Sequence, residues 1–244
     1  MIIERIKRKI EPNMCITPRT TPVIYFGNYE KARACTISLN PSDREFLDGN
    51  NQLLPTDRAR LCSREELGKR DDEELSESDA IKVKKACDDY FNKKPFVKFF
   101  HPFNIFLNEF WKYSYFNDTC VHLDMVQWAT TPRWSRIREN NIKRTHLDRD
   151  LPVLRYLLEK KFEVIFLNGR TVFDTLSDPE YLNIRLEIRQ TMYRDVRGNN
   201  HEFIGYLGNY NGAVVKGWNL FYPRGVEDDY TSRSNFWDAI KNMN

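Results

Sequence analysis

Two runs of mainly apolar, small and β-branched residues, each ended abruptly by polar residues, constrain this chain more than any other feature. Residues 34–39 stop at Asn40-Pro41-Ser42, and residues 162–167 stop at Asn168-Gly169. Strands that are mainly apolar, rather than alternating between apolar and polar residues, are typical of parallel sheets with both faces covered. Because helical patterns lie between the predicted strands, as at residues 147–161, the sequence predicts an α/β fold. Ligands of such sheets bind where strands end, so the residues after each strand are the first candidates for a site.

Other segments extend the pattern. Further strands are predicted at residues 22–26, 120–126 and 213–220, and further helices at residues 79–92, 103–116, 171–176 and from Ser232 onward. We therefore expect a three-layer α/β/α fold with a central, mainly parallel four-stranded sheet. The chain of 244 residues fits one domain, residues 1–244, with an insertion at about residues 49–118. The first part of that insertion, residues 49–78, is polar and charged and is expected to be a solvated segment.

Composition excludes several classes of protein. The formal net charge is only +3, so a nucleic-acid site must come from local clustering of charge. No apolar run approaches the roughly 18 residues of a membrane span, and the first ten residues lack the apolar centre of a secretion signal. The five cysteines are scattered without a C-x-x-C pair, which favours a reducing cytoplasm. We expect no metal and no cofactor.

Segments with at least one polar side chain lie at the ends of four of the predicted strands. They are Asn40-Pro41-Ser42, residues 124–130, Asn168-Gly169-Arg170 and residues 218–221. Taken singly, each has an ordinary structural explanation as a helix cap, a satisfied core polar group or a turn. Their shared position at strand ends makes them candidates as a set.

The order of these segments carries a resemblance. Residues 37–42, Ile-Ser-Leu-Asn-Pro-Ser, resemble the first motif of the uracil-DNA glycosylase superfamily, in which a strand ends in Gly-x-(Asp or Asn)-Pro. Residues 121–124 look like the base-reading strand of that family, and residues 164–169 are similar to its third strand. Residues 214–223 lie where the family has its second motif and DNA-wedging loop. The resemblance spans roughly residues 22–240 and implies an enzyme that flips a base out of double-stranded DNA and hydrolyses its N-glycosidic bond.

Three residues depart from the uracil-acting enzymes. Asn40 stands where the fastest of them have Asp, as in the mismatch-specific branch, and is expected to orient water through its amide oxygen. Asn219 is the nearest match to their usual His and is expected to hold O2 of the departing base. Asp124 occupies the base-reading position, where uracil readers have Asn. An ionised carboxylate only accepts hydrogen bonds, which suits the N4 amine of cytosine.

The target implied by Asp124 is a cytosine derivative. Excision of ordinary cytosine would kill the host, so the resemblance implies a base foreign to it, such as hydroxymethylated or glucosylated cytosine in phage DNA. The expected protein is therefore a monofunctional DNA glycosylase of antiviral defence, as in one branch of the superfamily. Two alternatives stay open: a uracil or thymine mismatch repair glycosylase, and a catalytically inactive nucleic-acid-binding module.

Other residues are expected to contact the base or the DNA. Phe46 is expected to stack on the flipped base, with Asn168 beside it. In the loop after the last core strand, Phe221 or Tyr222 is expected to wedge into the duplex. Six basic and two acidic side chains leave a net charge of +4 between residues 133 and 149, typical of a phosphate-binding edge. The candidate phosphate contacts are Ser42, Arg133, Arg136, Arg138, Arg170 and Arg224.

Overall fold

A computed structural model describes residues 1–226 and 228–243 of the chain. Its strands are β1 (Ala34–Ser38), β2 (Cys120–Asp124), β3 (Val164–Asn168), β4 (Leu186–Arg194), β5 (Asn200–Tyr210) and β6 (Ala213–Trp218). Its α-helices are α1 (Ile2–Lys7), α2 (Glu77–Asp88), α3 (Val97–Trp111), α4 (Asn140–Leu157), α5 (Arg170–Ser177) and α6 (Tyr230–Lys241).

The strands form one mixed sheet in the order β2-β1-β3-β6-β5-β4. Strands β1, β3 and β6 run parallel, whereas β4, β5 and β6 pair antiparallel. The predicted α/β class is confirmed, but the sheet has six strands and is mixed, so the expected four-stranded, mainly parallel sheet is not confirmed. The hairpin of β4 and β5 was missed because its strands are partly exposed and rich in polar residues, and so lack an apolar run.

The predicted strand at residues 22–26 does not belong to the sheet. This segment is buried, and the Val23 amide donates to the Gln127 carbonyl oxygen at 2.7 Å. Apart from a bridge at Phe26, its apolar residues therefore indicate burial and not a strand of the sheet, which the sequence pattern alone does not distinguish.

Helices pack on both faces of the sheet. Phe166 of β3 contacts Trp111 of α3, with ring centroids 5.2 Å apart, and Trp218 of β6 contacts Trp237 of α6 at 5.1 Å. On the opposite face, Phe173 of α5 stacks on Tyr206 of β5 at 3.7 Å. Because successive strand residues point to opposite faces, the register of β3, β6 and β5 assigns these contacts to two different sides.

Contacts within the chain define two compact units. We name them the sheet unit, comprising Glu30–Leu39, Val97–His122 and Leu158–Asn244, and the insertion unit, comprising Met1–Tyr29, Asn40–Phe96 and Leu123–Leu157.

The insertion unit is organised around a buried arginine. The Arg64 guanidinium donates to the carbonyl oxygens of Arg8 at 2.6 Å, Arg70 at 3.0 Å and Glu73 at 2.7 Å. A buried cation needs such partners, so these bonds fix the charged segment to the N-terminal residues. Residues 49–78 are therefore not the wholly solvated segment that their composition predicts, because Arg64 within them is buried.

Candidate active site

The chain leaves β1 through a tight turn that places the first candidate residues. The Ser42 hydroxyl oxygen accepts a hydrogen bond from the Arg44 amide at 3.2 Å and so caps a single 3-10 turn, Asp43–Glu45. The predicted DNA-binding residue Ser42 thus has a structural role as a cap. The turn brings Glu45 and Phe46 into the interior, where each is 3% exposed.

The Asn40 side chain is held in one orientation. Its amide nitrogen Nδ2 donates to the carbonyl oxygens of Pro41 at 3.1 Å and Trp128 at 3.2 Å, and lies 3.3 Å from the Thr130 hydroxyl. Because three acceptors surround this position, it must be the NH₂ group, and the amide oxygen Oδ1 is left to accept. Asn40 is half-buried, and its hydrogen bonds within the described residues all run through Nδ2.

Glu45 is a buried carboxyl group with a tyrosine partner. The Tyr90 hydroxyl accepts from the Phe96 amide at 2.9 Å and donates its proton to Glu45 Oε2 at 2.6 Å. Burial raises the pKa of Glu45 to about 7 from an ordinary value of 4.5, and the charge of Asp124 adds to the rise. The Tyr90 hydrogen bond and the Arg60 guanidinium oppose it. Glu45 can therefore exchange a proton near neutral pH.

A cavity of about 300 Å³ opens beside Glu45 and Phe46. The Phe46 carbonyl accepts from the Leu54 amide at 2.8 Å, and Leu47 bridges Leu53 in antiparallel pairing, so the insertion folds over the turn. The volume is at the lower end of the range of about 300–1,000 Å³ usual for small-molecule pockets. The other lining residues all come from the insertion: Leu53, Leu54, Pro55, Thr56, Ala59, Leu61, Ser63, Glu65 and Glu66.

Asp124 ends β2 and is 3% exposed. Its charge acts on Glu45, so the two carboxyl groups are electrostatic neighbours. Among the described residues that line the cavity, Glu45 and Phe46 are present and Asp124 is not. The base-reading role predicted for Asp124 stays a prediction.

The predicted basic segment projects its arginines from the insertion unit. Arg133, Arg136 and Arg138 are exposed, and no salt bridge joins them to an acid within residues 1–226 and 228–243. Trp134 and Ile137 alternate with them and are buried. This arrangement anchors the segment and leaves three guanidinium groups to bind anions.

In the sheet unit, Asn168 is fully engaged by protein groups. Its Nδ2 donates to the Ser38 hydroxyl at 3.2 Å and the Tyr222 carbonyl at 3.0 Å. Its Oδ1 accepts from Trp218 Nε1 and from the Tyr222 amide, both at 2.9 Å. Both N–H groups of the amide and its oxygen are thus engaged, and the residue is 1% exposed. The side chain has no donor or acceptor available to bind a base. The predicted base-binding role of Asn168 is therefore wrong, and the residue fixes the loop after β6.

Asn219 of the sheet unit keeps one group available. Its side-chain oxygen Oδ1 accepts from the Ile204 amide at 2.9 Å, and its backbone carbonyl accepts from the Arg170 amide at 3.2 Å. The half-buried side chain thus has a fixed orientation, and its Nδ2 is a donor without an acceptor in the described chain. Asn219 is predicted to hold O2 of the departing base, and a side-chain N–H donor such as Nδ2 is the group that this role requires. Arg170 is exposed and pairs with Asp174 at 3.6 Å, so its role at a phosphate stays a prediction.

The two candidate wedge residues have opposite environments. Tyr222 is 0% exposed, and its ring packs against Phe103 of α3 and Phe236 of α6. The prediction of Tyr222 as a wedge is therefore wrong, since removing it from the core would break these contacts. Phe221 is 43% exposed, with its ring 6.1 Å from Phe99, and Arg224 beyond it is exposed. Both keep their predicted DNA-binding roles as predictions.

Sequence reasoning missed Glu45, Tyr90 and the cavity. One local signal was present: an acid directly followed by Phe46 and Leu47, close after Asn40-Pro41-Ser42. A second was the apolar pair Leu53-Leu54 inside an otherwise polar insertion. Buried acids are rare unless partnered, so an acid within an apolar stretch is a candidate for a functional carboxyl group.

Comparisons with protein families and with curated proteins gave no match. Within the described residues, no helix has the length and apolar character needed to cross a membrane. In the same part of the chain, no group of three or more His, Cys, Asp and Glu side chains could hold a metal ion. All five cysteines carry free thiols.

Proposed function

We propose that this protein is a monofunctional DNA glycosylase that removes a modified cytosine from double-stranded DNA. The observation that carries the proposal is the fixed amide of Asn40, directly after a parallel strand. Its nitrogen is committed to protein acceptors and its oxygen is left to hold a water. Hydrolysis of an N-glycosidic bond needs a positioned water and charge stabilisation of an oxocarbenium-like transition state.

Asn40 orients the water and does not deprotonate it. An amide oxygen is too weak a base to take a proton at neutral pH, so the water attacks once positive charge has developed on the sugar. Positioning of this kind supplies rate by aligning the reacting atoms before bond cleavage. The enzyme is therefore expected to be slow compared with glycosylases that have a carboxylate at this position.

The insertion unit also carries groups suited to a cytosine-type base. Asp124 is buried, and as a carboxylate it accepts from the exocyclic amine that cytosine has and uracil lacks. Phe46 contributes an aromatic surface to the cavity wall, on which a flat base can stack. Of the two, only Asp124 favours a cytosine derivative over uracil, because an aromatic ring stacks on either base.

The exposed arginines support DNA as the partner. Arg133, Arg136 and Arg138 form a cationic surface on a protein with a net charge of only +3. Contacts of this type go to phosphates and make binding depend on salt concentration. A target in phage DNA and a cytoplasmic role in antiviral defence belong to the same proposal, because an enzyme active on host cytosine would be lethal.

A substrate panel tests this function. Duplexes carrying cytosine, 5-hydroxymethylcytosine, glucosylated 5-hydroxymethylcytosine, uracil or a T·G mismatch are incubated with the protein, and alkali then cuts any abasic site. Cleavage at a modified cytosine alone supports the proposal. Cleavage at uracil or mismatched thymine would instead identify a repair glycosylase, and DNA binding without cleavage at any base would identify a binding module.

A further inference from the structure

The cavity beside the first-motif turn contains one buried ionisable group, and that group suits the hardest step of the proposed reaction. Neutral cytosine is a poor leaving group because negative charge accumulates on the base as its bond to the sugar breaks. An acid that protonates the base relieves that charge. A role for this acid in the departure of the base rests on the proposed function.

We propose that Glu45 is the general acid: it lines the pocket that receives the flipped base and protonates the departing pyrimidine. Tyr90 donates to Oε2, which orients the carboxyl group and leaves Oε1 to carry the transferable proton. Phe46 forms the adjacent wall, so a base stacked there lies beside the acid. A carboxyl group inside an apolar wall keeps its proton more readily than one in water.

The step balances without any further reagent. The bond between C1′ of the sugar and N1 of the base breaks, and its electron pair goes to the base. The Glu45 proton passes to N3 of cytosine, so the base departs neutral. Water adds to C1′ and loses a proton to solvent, and the Glu45 carboxylate takes up a proton from solvent to complete the cycle.

The charged groups around Glu45 hold its pKa near neutrality. Tyr90 and Arg60 stabilise the carboxylate and lower the pKa, whereas burial and the charge of Asp124 raise it to about 7. Glu65 and Glu66 also line the cavity and are exposed. Three carboxyl groups line the cavity, with Glu65 paired to Arg19 at 3.2 Å, and this acidic lining suits a neutral ligand rich in donors, such as an amine- or hydroxyl-bearing base.

Single-turnover excision by Glu45→Gln provides the main test. The amide keeps the size of the side chain and can still accept from Tyr90, but it cannot deliver a proton. Excision of 5-hydroxymethylcytosine should slow by about 100-fold or more, within the range usual for a lost general acid. Asp57→Asn is the matched control, because it removes an exposed acid of the same insertion that does not line the cavity, and its rate should be unchanged.

The leaving group distinguishes an acid from a structural residue. The electron-withdrawing substituent of 5-formylcytosine makes that base a better leaving group of similar size, so Glu45→Gln should slow its release much less. Equal slowing of both bases would show that Glu45 only maintains the pocket and would overturn its role as an acid. Unimpaired excision by Glu45→Gln would overturn the role outright.

Two neighbours give an independent test in the pH profile. The rate should fall as Glu45 loses its proton, on an alkaline limb near pH 7. Tyr90→Phe removes a stabiliser of the carboxylate and should move that limb to higher pH, whereas Asp124→Asn removes a like charge and should move it to lower pH. Limbs that stay in place in both variants contradict the proposal. Failure of the wild-type protein on every duplex would overturn the proposed function itself, whereas activity without these effects would overturn only the role of Glu45.

Discussion

Asn40 Nδ2 donates a 3.2 Å hydrogen bond to the carbonyl oxygen of Trp128, and this bond sets which way the amide oxygen points. Asn40→Ala removes the water-orienting oxygen. Base release should be lost, whereas binding to duplex DNA should stay nearly intact, because phosphate contacts carry most of the affinity. Single-turnover excision and a fluorescence binding titration measure the two quantities. Wild-type turnover by the alanine variant would remove Asn40 from the mechanism.

EDTA provides a companion test of the same chemistry. The proposed reaction uses side chains and water alone, so the excision rate should be unchanged after EDTA treatment. A rate that falls with EDTA and returns with a divalent cation would contradict this mechanism.

Asp124→Asn should change which base the enzyme prefers. The amide can donate as well as accept, so it no longer favours the exocyclic amine of cytosine and admits the O4 of uracil. A good bidentate base contact is worth about 1–3 kcal/mol, and the ratio of rates on modified cytosine and uracil should shift by roughly tenfold to a hundredfold. An unchanged substrate ranking would show that Asp124 does not determine specificity.

Phe221 and Tyr222 should respond differently to alanine. Phe221 is half-exposed, so Phe221→Ala should slow excision from duplex DNA far more than from single strands, where little stacking must be broken. The melting temperature should change little. Equal slowing on duplex and single-stranded DNA would show that Phe221 is not the wedge.

Tyr222→Ala serves as the contrasting variant. Its ring is buried among core aromatics, and replacement of a buried aromatic by alanine costs about 3–5 kcal/mol of unfolding free energy. A stable Tyr222→Ala protein with a duplex-specific defect would reverse the assignment of the two residues.

The free energy of unfolding should depend on pH through Glu45. Its pKa is 4.5 in its ordinary state and about 7 in the fold, so the folded state holds the proton more tightly. The associated stability is fully present below pH 4.5 and is lost as pH rises through 7, by on the order of 3 kcal/mol. Glu45→Gln lacks this titration, so urea unfolding at pH 5 and pH 8 should show a larger decline for the wild-type protein. Equal declines of the unfolding free energy in the two proteins would show that the pH dependence does not come from Glu45.

The sequence predicted those parts of the fold that are buried on both sides. Strands β1, β3 and β6 lie inside the sheet, and burial favours the mainly apolar, small and β-branched residues that make them stand out in the sequence. The hairpin of β4 and β5 was missed because partly exposed antiparallel strands keep polar residues. Helix α3 begins at Val97, ahead of the start predicted at residue 103. Pro102 lies within this helix, and a proline is unfavourable in a helix interior, so the sequence did not indicate a helix before it.

The candidate site was less predictable because the surroundings of its side chains are formed by residues far away in the sequence. Asn40 could be selected from its position after a strand. Glu45 could not, because Tyr90 and the insertion create its surroundings. Phe221 and Tyr222 are adjacent aromatics, and only the path of the loop, fixed by Asn168, decides which one is buried.

Alkali cleavage of end-labelled duplexes, after incubation with the wild-type protein and with Asn40→Ala, shows whether the protein is a glycosylase that depends on Asn40. We expect strand scission at a modified cytosine by the wild-type protein, none by Asn40→Ala, and none by either protein at unmodified cytosine. Intact DNA at every base tested, or equal scission by the two proteins, would contradict this expectation.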